Sequence, residues 1–254
     1  HAHQLAAVAV GGSLYTLLTW AMGFLRMGTT GFAAQAAGRE DGCALRQILV
    51  QGLLLGGLLA AFLLILAIPF SSAALALMQP SAELDTLARS YFEIRLFGLP
   101  AALTCYALIG WLLGTQNARG PLAILLTTNL LNVALDLLFV LGLGWGVAGT
   151  AWSSVIAEWS GALLGLWLAR HALRRYSGRI DWSALRHWLN WRPLLAVNRD
   201  IFIRTLALQS VFFLITVQGT RLGDETVAAN ALLLNGLLLT AHAQIGRASC
   251  RERV

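Results

Sequence analysis

The chain has 254 residues, 57% of them hydrophobic and 12% charged, with a mean hydropathy of +0.69. This balance all but excludes a soluble enzyme, and at about 20 residues per crossing the length has room for about six to nine membrane helices and no separate soluble domain. The net charge of +6 comes from 18 basic residues, all arginine, so their placement beside apolar spans decides their meaning before any nucleic-acid partner is invoked.

Apolar runs predict helices at 5–27, 48–70, 92–114, 121–143, 147–169, 201–217 and 227–244. Only a helix satisfies every backbone polar group within lipid, so each run reads as a crossing, seven in all. The fold class expected is an all-α polytopic membrane bundle. Glu93 and Arg95 at one end of the third run, Asp200 and Arg204 at the start of the sixth, and the shortness of the seventh make these three the weakest signals. Arg26-Met27-Gly28-Thr29-Thr30-Gly31, with Gln35, closes the first span and predicts a close backbone approach or an irregular helix end.

Arginine favours the cytoplasmic side. The first, third and fifth connections hold or border eleven arginines, from Arg26 to Arg199, against three in the others, Arg89, Arg95 and Arg221. The first span therefore runs from outside to inside, and a crossing is expected before it. The chain opens on His1 without an initiator Met or a charged n-region, as a fragment or processed chain would.

The fifth connection is the longest. Asp181 is placed to cap a helix through Leu189 in which Trp182, Leu185, Trp188 and Leu189 share a face, suited to the headgroup layer. Leu5-Ala6-Ala7-Val8-Ala9 and Val227-Ala228-Ala229-Asn230-Ala231 echo one another with five spans between them, which suggests a six-helix repeat. The organisation expected is an amino-terminal lobe over 1–169, a cytoplasmic amphipathic linker over 170–198, the start of a carboxy-terminal lobe over 199–244, and a basic tail over 245–254 that reads as adapter-derived rather than native.

Ionisable groups inside crossings are expensive, which makes them functional candidates. Asp136 lies within the fourth span, Glu158 within the fifth, and Asn132 one helical turn before Asp136. Gly144-Trp145-Gly146 turns these spans into a hairpin, and counting from Trp145 pairs Asp136 with Ser154 and Asn132 with Glu158, in two layers about one turn apart. A carboxylate, an amide and a hydroxyl so arranged can coordinate a small cation or hold a proton. Asn132, Asp136 and Ser154 form the primary candidate site. Glu158, Asp200, Arg204 and Gln209 form a possible secondary polar set, in which Asp200 and Arg204, spaced i,i+4, are expected to pair. Cys43, Cys105 and Cys250 fit neither a disulfide framework nor a metal motif, and neither zinc-type His/carboxylate spacing nor an ATP-binding loop occurs.

The ordered segments Phe24-Leu25-Arg26-Met27-Gly28-Thr29-Thr30-Gly31-Phe32-Ala33-Ala34-Gln35-Ala36, Gly110-Trp111-Leu112-Leu113-Gly114-Thr115-Gln116-Asn117-Ala118-Arg119, Asn132-Val133-Ala134-Leu135-Asp136, Val155-Ile156-Ala157-Glu158 and Asn198-Arg199-Asp200-Ile201 resemble the multidrug and toxic compound extrusion (MATE) family, within its DinF-like branch. The resemblance implies a twelve-helix transporter of two six-helix lobes, without cofactor or ATP. Such a transporter exports small organic, often cationic or amphipathic, compounds across a bacterial inner membrane in exchange for H⁺ or Na⁺. It also implies that the seven spans are the second to eighth, that the first helix with its acidic residue and most of the carboxy lobe lie outside this chain, and that Asn132, Asp136 and Ser154 take the cation, with Ser where Thr is usual. A lipid-linked precursor flippase is the alternative, disfavoured because only Arg26, Arg95 and Arg204 edge the spans; an intramembrane enzyme is disfavoured by the lack of a catalytic constellation.

Overall fold

Residues 2–78 and 81–222 are described by a computed structural model, and all their regular elements are helical. Helix α1 (Ala2–Trp20) passes through a tight turn at Ala21–Gly23 into α2 (Phe24–Gly38), giving one apolar stretch over Gln4–Gly38. The glycine-threonine segment lies inside α2 instead of ending the span, with Thr29 and Thr30 donating their hydroxyls to the carbonyls of Leu25 and Arg26. A close approach does occur there: the side-chain amide of Asn198 lies directly against the Cα of Gly28, leaving no room for a methyl group.

Helix α3 (Gly42–Met78) contains the second expected span, and α4 (Ala82–Leu96) follows with its N-terminus capped by Ser81. The third span departs from expectation. It is a bent pair in which α4 and α5 (Leu99–Gly114) meet at 49° across Phe97 and Gly98. Pro100, in the first turn of α5, has no backbone N–H to continue a helix from α4, so the chain starts a new one.

Helix α6 (Arg119–Asp136) widens into π-helical turns over Leu137–Gly142 and reverses into α7 (Gly146–Leu173). Gly144 and Gly146 have φ of +69° and +54°, a left-handed backbone that favours glycine, and the Phe139 and Trp145 rings stack 5.0 Å apart to close the hairpin. In the linker, Asp181 caps α8 (Trp182–Arg186) as expected, accepting from the amides of Ser183 and Ala184. The helix is shorter than expected, because His187 is extended and Trp188–Asn190 forms a separate tight turn. Helix α9 (Arg192–Leu222) contains the sixth expected run. The seventh expected span, the second half of the repeat echo and the tail over 245–254 lie outside the described residues.

The chain divides into two units, His1–Phe202 and Ile203–Val254. Within the first, α2 and α5 approach closely: a methyl at Gly110 would strike the carbonyl of Arg26, and one at Gly114 the carbonyl of Thr30. This is the small-xxx-small packing that substitutes for hydrophobic driving force in lipid. Trp111, between the two glycines, is fully buried and donates its indole N–H to the Leu45 carbonyl at 2.9 Å. The outer faces are apolar, with Leu130 68% and Leu141 75% exposed on α6 and its extension, as lipid-facing surface should be.

Among the described residues, three helical stretches are long and apolar enough to cross a membrane, or four if the bent pair is one span. Helix α7, at 28 residues and about 42 Å, is also long enough; Glu158 and its serines and tryptophans reduce its apolar character.

Candidate cation site

Asn132 and Asp136 stand one turn apart on α6, facing Ser153 and Ser154 on α7. The Asn132 amide donates to Ser154 Oγ at 3.1 Å and Ser153 Oγ at 3.2 Å. Ser153 Oγ lies 2.5 Å from Asp136 Oδ1 and 2.8 Å from the Thr150 carbonyl. With one hydrogen to give, it is best matched to the carboxylate, a charge-assisted acceptor. Ser154 donates to the Thr150 carbonyl at 3.1 Å. The result is a linked polar group of one carboxylate, one amide and two hydroxyls, in which Ser153 contacts Asp136 and the Asn132 amide joins Ser153 to Ser154. Hard ligands of this kind suit a small cation or a proton.

The three residues of the primary candidate site are thus brought together, with Ser153 as a fourth member that the turn count missed. Ser153 is completely buried whereas Asn132, Asp136 and Ser154 are half-buried. The two-layer arrangement is corrected: Asn132 meets the serines instead of Glu158. Counting outward from Trp145 assumed regular helices, but the π turns at Leu137–Gly142 fit more residues into each turn. Asn132 is thereby drawn toward the hairpin, to the depth of Ser153 and Ser154.

Glu158 belongs to a different group. Its Oε1 accepts from Arg95 Nη2 at 2.7 Å, and Tyr15 donates its hydroxyl to Oε2 at 3.3 Å. The Arg95 guanidinium also lies 3.9 Å above the Tyr15 ring centroid, adding a cation–π contact. Arg95 is 8% exposed and its Nη1 has no hydrogen-bond partner. It is therefore a buried charge tying α4 to α7 and α1, and not a residue at the edge of a span. The sequence signal was available in Glu93, Arg95 and Glu158, but only the bend after α4 turns Arg95 inward.

An open pocket of about 160 Å³ joins the two groups, lined by Thr128, Asn129, Asn132 and Ser154 on one side and Arg95, Ala157 and Glu158 on the other. Of the other residues of the secondary set, Asp200 and Arg204 form no such cluster among the described residues. Asp200 pairs with its neighbour Arg199 at 2.9 Å, in place of the expected Arg204. The Arg199 side chain folds back so that Nε and Nη2 both reach Oδ1, and both residues remain about two-thirds exposed. Arg204 is exposed on α9, and the side chain of Gln209 lies outside the described residues.

Apolar outer faces, spans of membrane length and a polar pocket walled by helices define a multi-pass membrane bundle of the transporter class. The MatE family model matches residues 1–138, and the chain belongs to this family, whose members are transporters and not enzymes. It is 43% identical over 250 residues to DNA damage-inducible protein F of Escherichia coli (strain K12), covering 98% of this chain and 54% of that protein. It is 29% identical over 246 residues to multidrug resistance protein PmpM of Pseudomonas aeruginosa, covering 92% and 50%. A crystal structure of MATE in the bent conformation matches with a TM-score of 0.78 at 21% identity, over 91% of this chain and 52% of that one. The chain spans about half the length of the curated relatives it matches.

Proposed function

We propose that the intact protein is a cation-coupled antiporter of the bacterial inner membrane, exporting small organic compounds of cationic or amphipathic character in exchange for H⁺ or Na⁺. The observation that carries this reading is a chain of hydrogen bonds between two apolar helices, in which Ser153 meets Asp136 and the Asn132 amide meets Ser153 and Ser154. A lone carboxylate in lipid is costly when ionised, so one grouped with neutral polar side chains is suited to exchanging a cation. The similarity to multidrug resistance protein PmpM of P. aeruginosa supports the substrate class.

In this mechanism Asp136, with Asn132, Ser153 and Ser154, binds the coupling cation. Loading neutralises the carboxylate and favours one arrangement of two lobes; unloading favours the other. Exchange follows because the cation has different affinities for the two arrangements. Residues 1–169 supply the amino lobe, 170–198 the linker and 199–244 the start of the carboxy lobe. A lipid-precursor flippase is less well supported, since the charge of Arg95 is already neutralised by Glu158 and is not available to a diphosphate.

The test is Asp136→Asn in the intact transporter, followed by dye export from vesicles under an imposed H⁺ or Na⁺ gradient. Export should be lost while membrane insertion is retained; gradient-driven export at the parental rate overturns the assignment.

A further inference from the structure

A second pocket, of about 450 Å³, opens between α3 and α7 at their arginine-rich end. Three leucines, Leu49, Leu166 and Leu173, form its wall, and Arg46, Arg170 and Arg174 line it with no carboxylate among the lining residues. The ion pairs found among the described residues, at Asp85, Glu158 and Asp200, involve none of these arginines. Arg170 and Arg174 are exposed and spaced i,i+4, an arrangement in which like charges repel.

Arg46 has a structural task as well. Its Nη1 donates to the Gly42 carbonyl at 2.9 Å, and its Nη2 to the carbonyls of Leu173 and Tyr176 at 3.1 and 2.9 Å. It thereby covers the negative end of α7, which would otherwise oppose an anion at this place. Trp167, one turn before Arg170 and His171, is 61% exposed and stacks on His171 at 5.9 Å. An exposed indole of this kind marks the headgroup level of the bilayer.

We propose that this pocket binds an anionic phospholipid of the cytoplasmic leaflet. The headgroup phosphate lies between Arg170 and Arg174, within reach of Arg46, and an acyl chain runs along Leu49 and Leu166. The charge complementarity selects the occupant: three converging cations above an apolar wall match a phosphate attached to a hydrocarbon chain. Arginine supplies paired N–H donors to such a phosphate, and the anion removes the repulsion along α7. This site lies apart from the Asp136 group and does not depend on the antiport reading.

The experiment uses the intact transporter in nanodiscs of phosphatidylcholine with increasing phosphatidylglycerol, counting retained lipids by native mass spectrometry. Phosphatidylglycerol should be retained over phosphatidylcholine by about tenfold or more. The preference should vanish in Arg170→Gln/Arg174→Gln, survive in Arg170→Lys/Arg174→Lys, and survive in Arg175→Gln/Arg179→Gln, which removes the same charge outside the pocket. Arg46 is left intact because it holds the end of α7. An unchanged preference in Arg170→Gln/Arg174→Gln, or an equal loss in Arg175→Gln/Arg179→Gln, overturns the proposal. So does displacement of the lipid by millimolar inorganic phosphate, which would make the site one for the ion alone.

Discussion

Ser153 Oγ lies 2.5 Å from Asp136 Oδ1, bridging two helices from the position just before the serine that turn counting selects. It contacts both Asp136 and the Asn132 amide, whereas among the described residues Ser154 makes no hydrogen bond to Asp136 and meets the amide and the Thr150 carbonyl. Ser153→Ala should therefore perturb the site more than Ser154→Ala. A contact between a hydroxyl and a charged group contributes about 1.5–3 kcal/mol, so where Na⁺ is the coupling ion the Na⁺ concentration for half-maximal export should rise about tenfold or more in Ser153→Ala. Dye export at graded cation concentrations checks this; a larger effect of Ser154→Ala contradicts the geometry.

The buried pair Arg95–Glu158 gives a prediction about stability. Removing one partner strands a buried charge, at a cost of about 3–5 kcal/mol, whereas removing both does not. Glu158→Gln should lower the unfolding midpoint in detergent markedly, and Arg95→Met/Glu158→Gln should recover much of the loss. Equal midpoints for the parent and Glu158→Gln would show that the pair bears no net load.

Close packing of α2 on α5 predicts a contrast between glycines. Gly110→Ala places a methyl against the Arg26 carbonyl, while Gly57→Ala meets nothing within 4 Å. Overpacking costs about 1–3 kcal/mol, so Gly110→Ala should be destabilised and Gly57→Ala should not. Thermal unfolding of the two variants side by side is the measurement.

Asp181, in the linker, responds to acid. The Ser183 hydroxyl first, then the Ala184 amide, hold its carboxyl below the ordinary range. A depressed folded-state value means that the cap's stabilisation is complete above the unfolded value, about 3.9, and is lost as pH falls through the folded one. The Ser183 and Ala184 amide signals should hold steady from neutral pH to about pH 5, then move to unfolded positions in stronger acid. In Asp181→Ala they should occupy those positions at every pH. NMR of the labelled protein reads both.

Much of this architecture was legible in advance because apolar runs, glycine turns and caps are local signals. The helices of the first five apolar runs, the hairpin at Gly144 and Gly146, and the Asp181 cap follow from residues close together in the chain. Asn132, Asp136 and Ser154 could be grouped because a short turn relates the helices that carry them. What escaped depended on irregular backbone. The bend at Phe97 and Gly98 turned Arg95 inward, and the π turns replaced the expected Asn132–Glu158 layer with contacts to Ser153 and Ser154. The Asp200 pairing was misjudged because helical spacing says which residues are neighbours, but not that an arginine can fold back onto the next residue.

The wide turns at Leu137–Gly142 make the hairpin a ruler graduated in whole residues. Every residue in a regular helix rotates its successors by about 100°, so a single deletion between Asp136 and Gly144 would turn α6, and the carboxylate with it, away from α7. Point substitutions among these lipid-facing leucines can leave the site aligned, while loss or gain of one residue cannot. Length, more than side-chain identity, is what this stretch has to conserve.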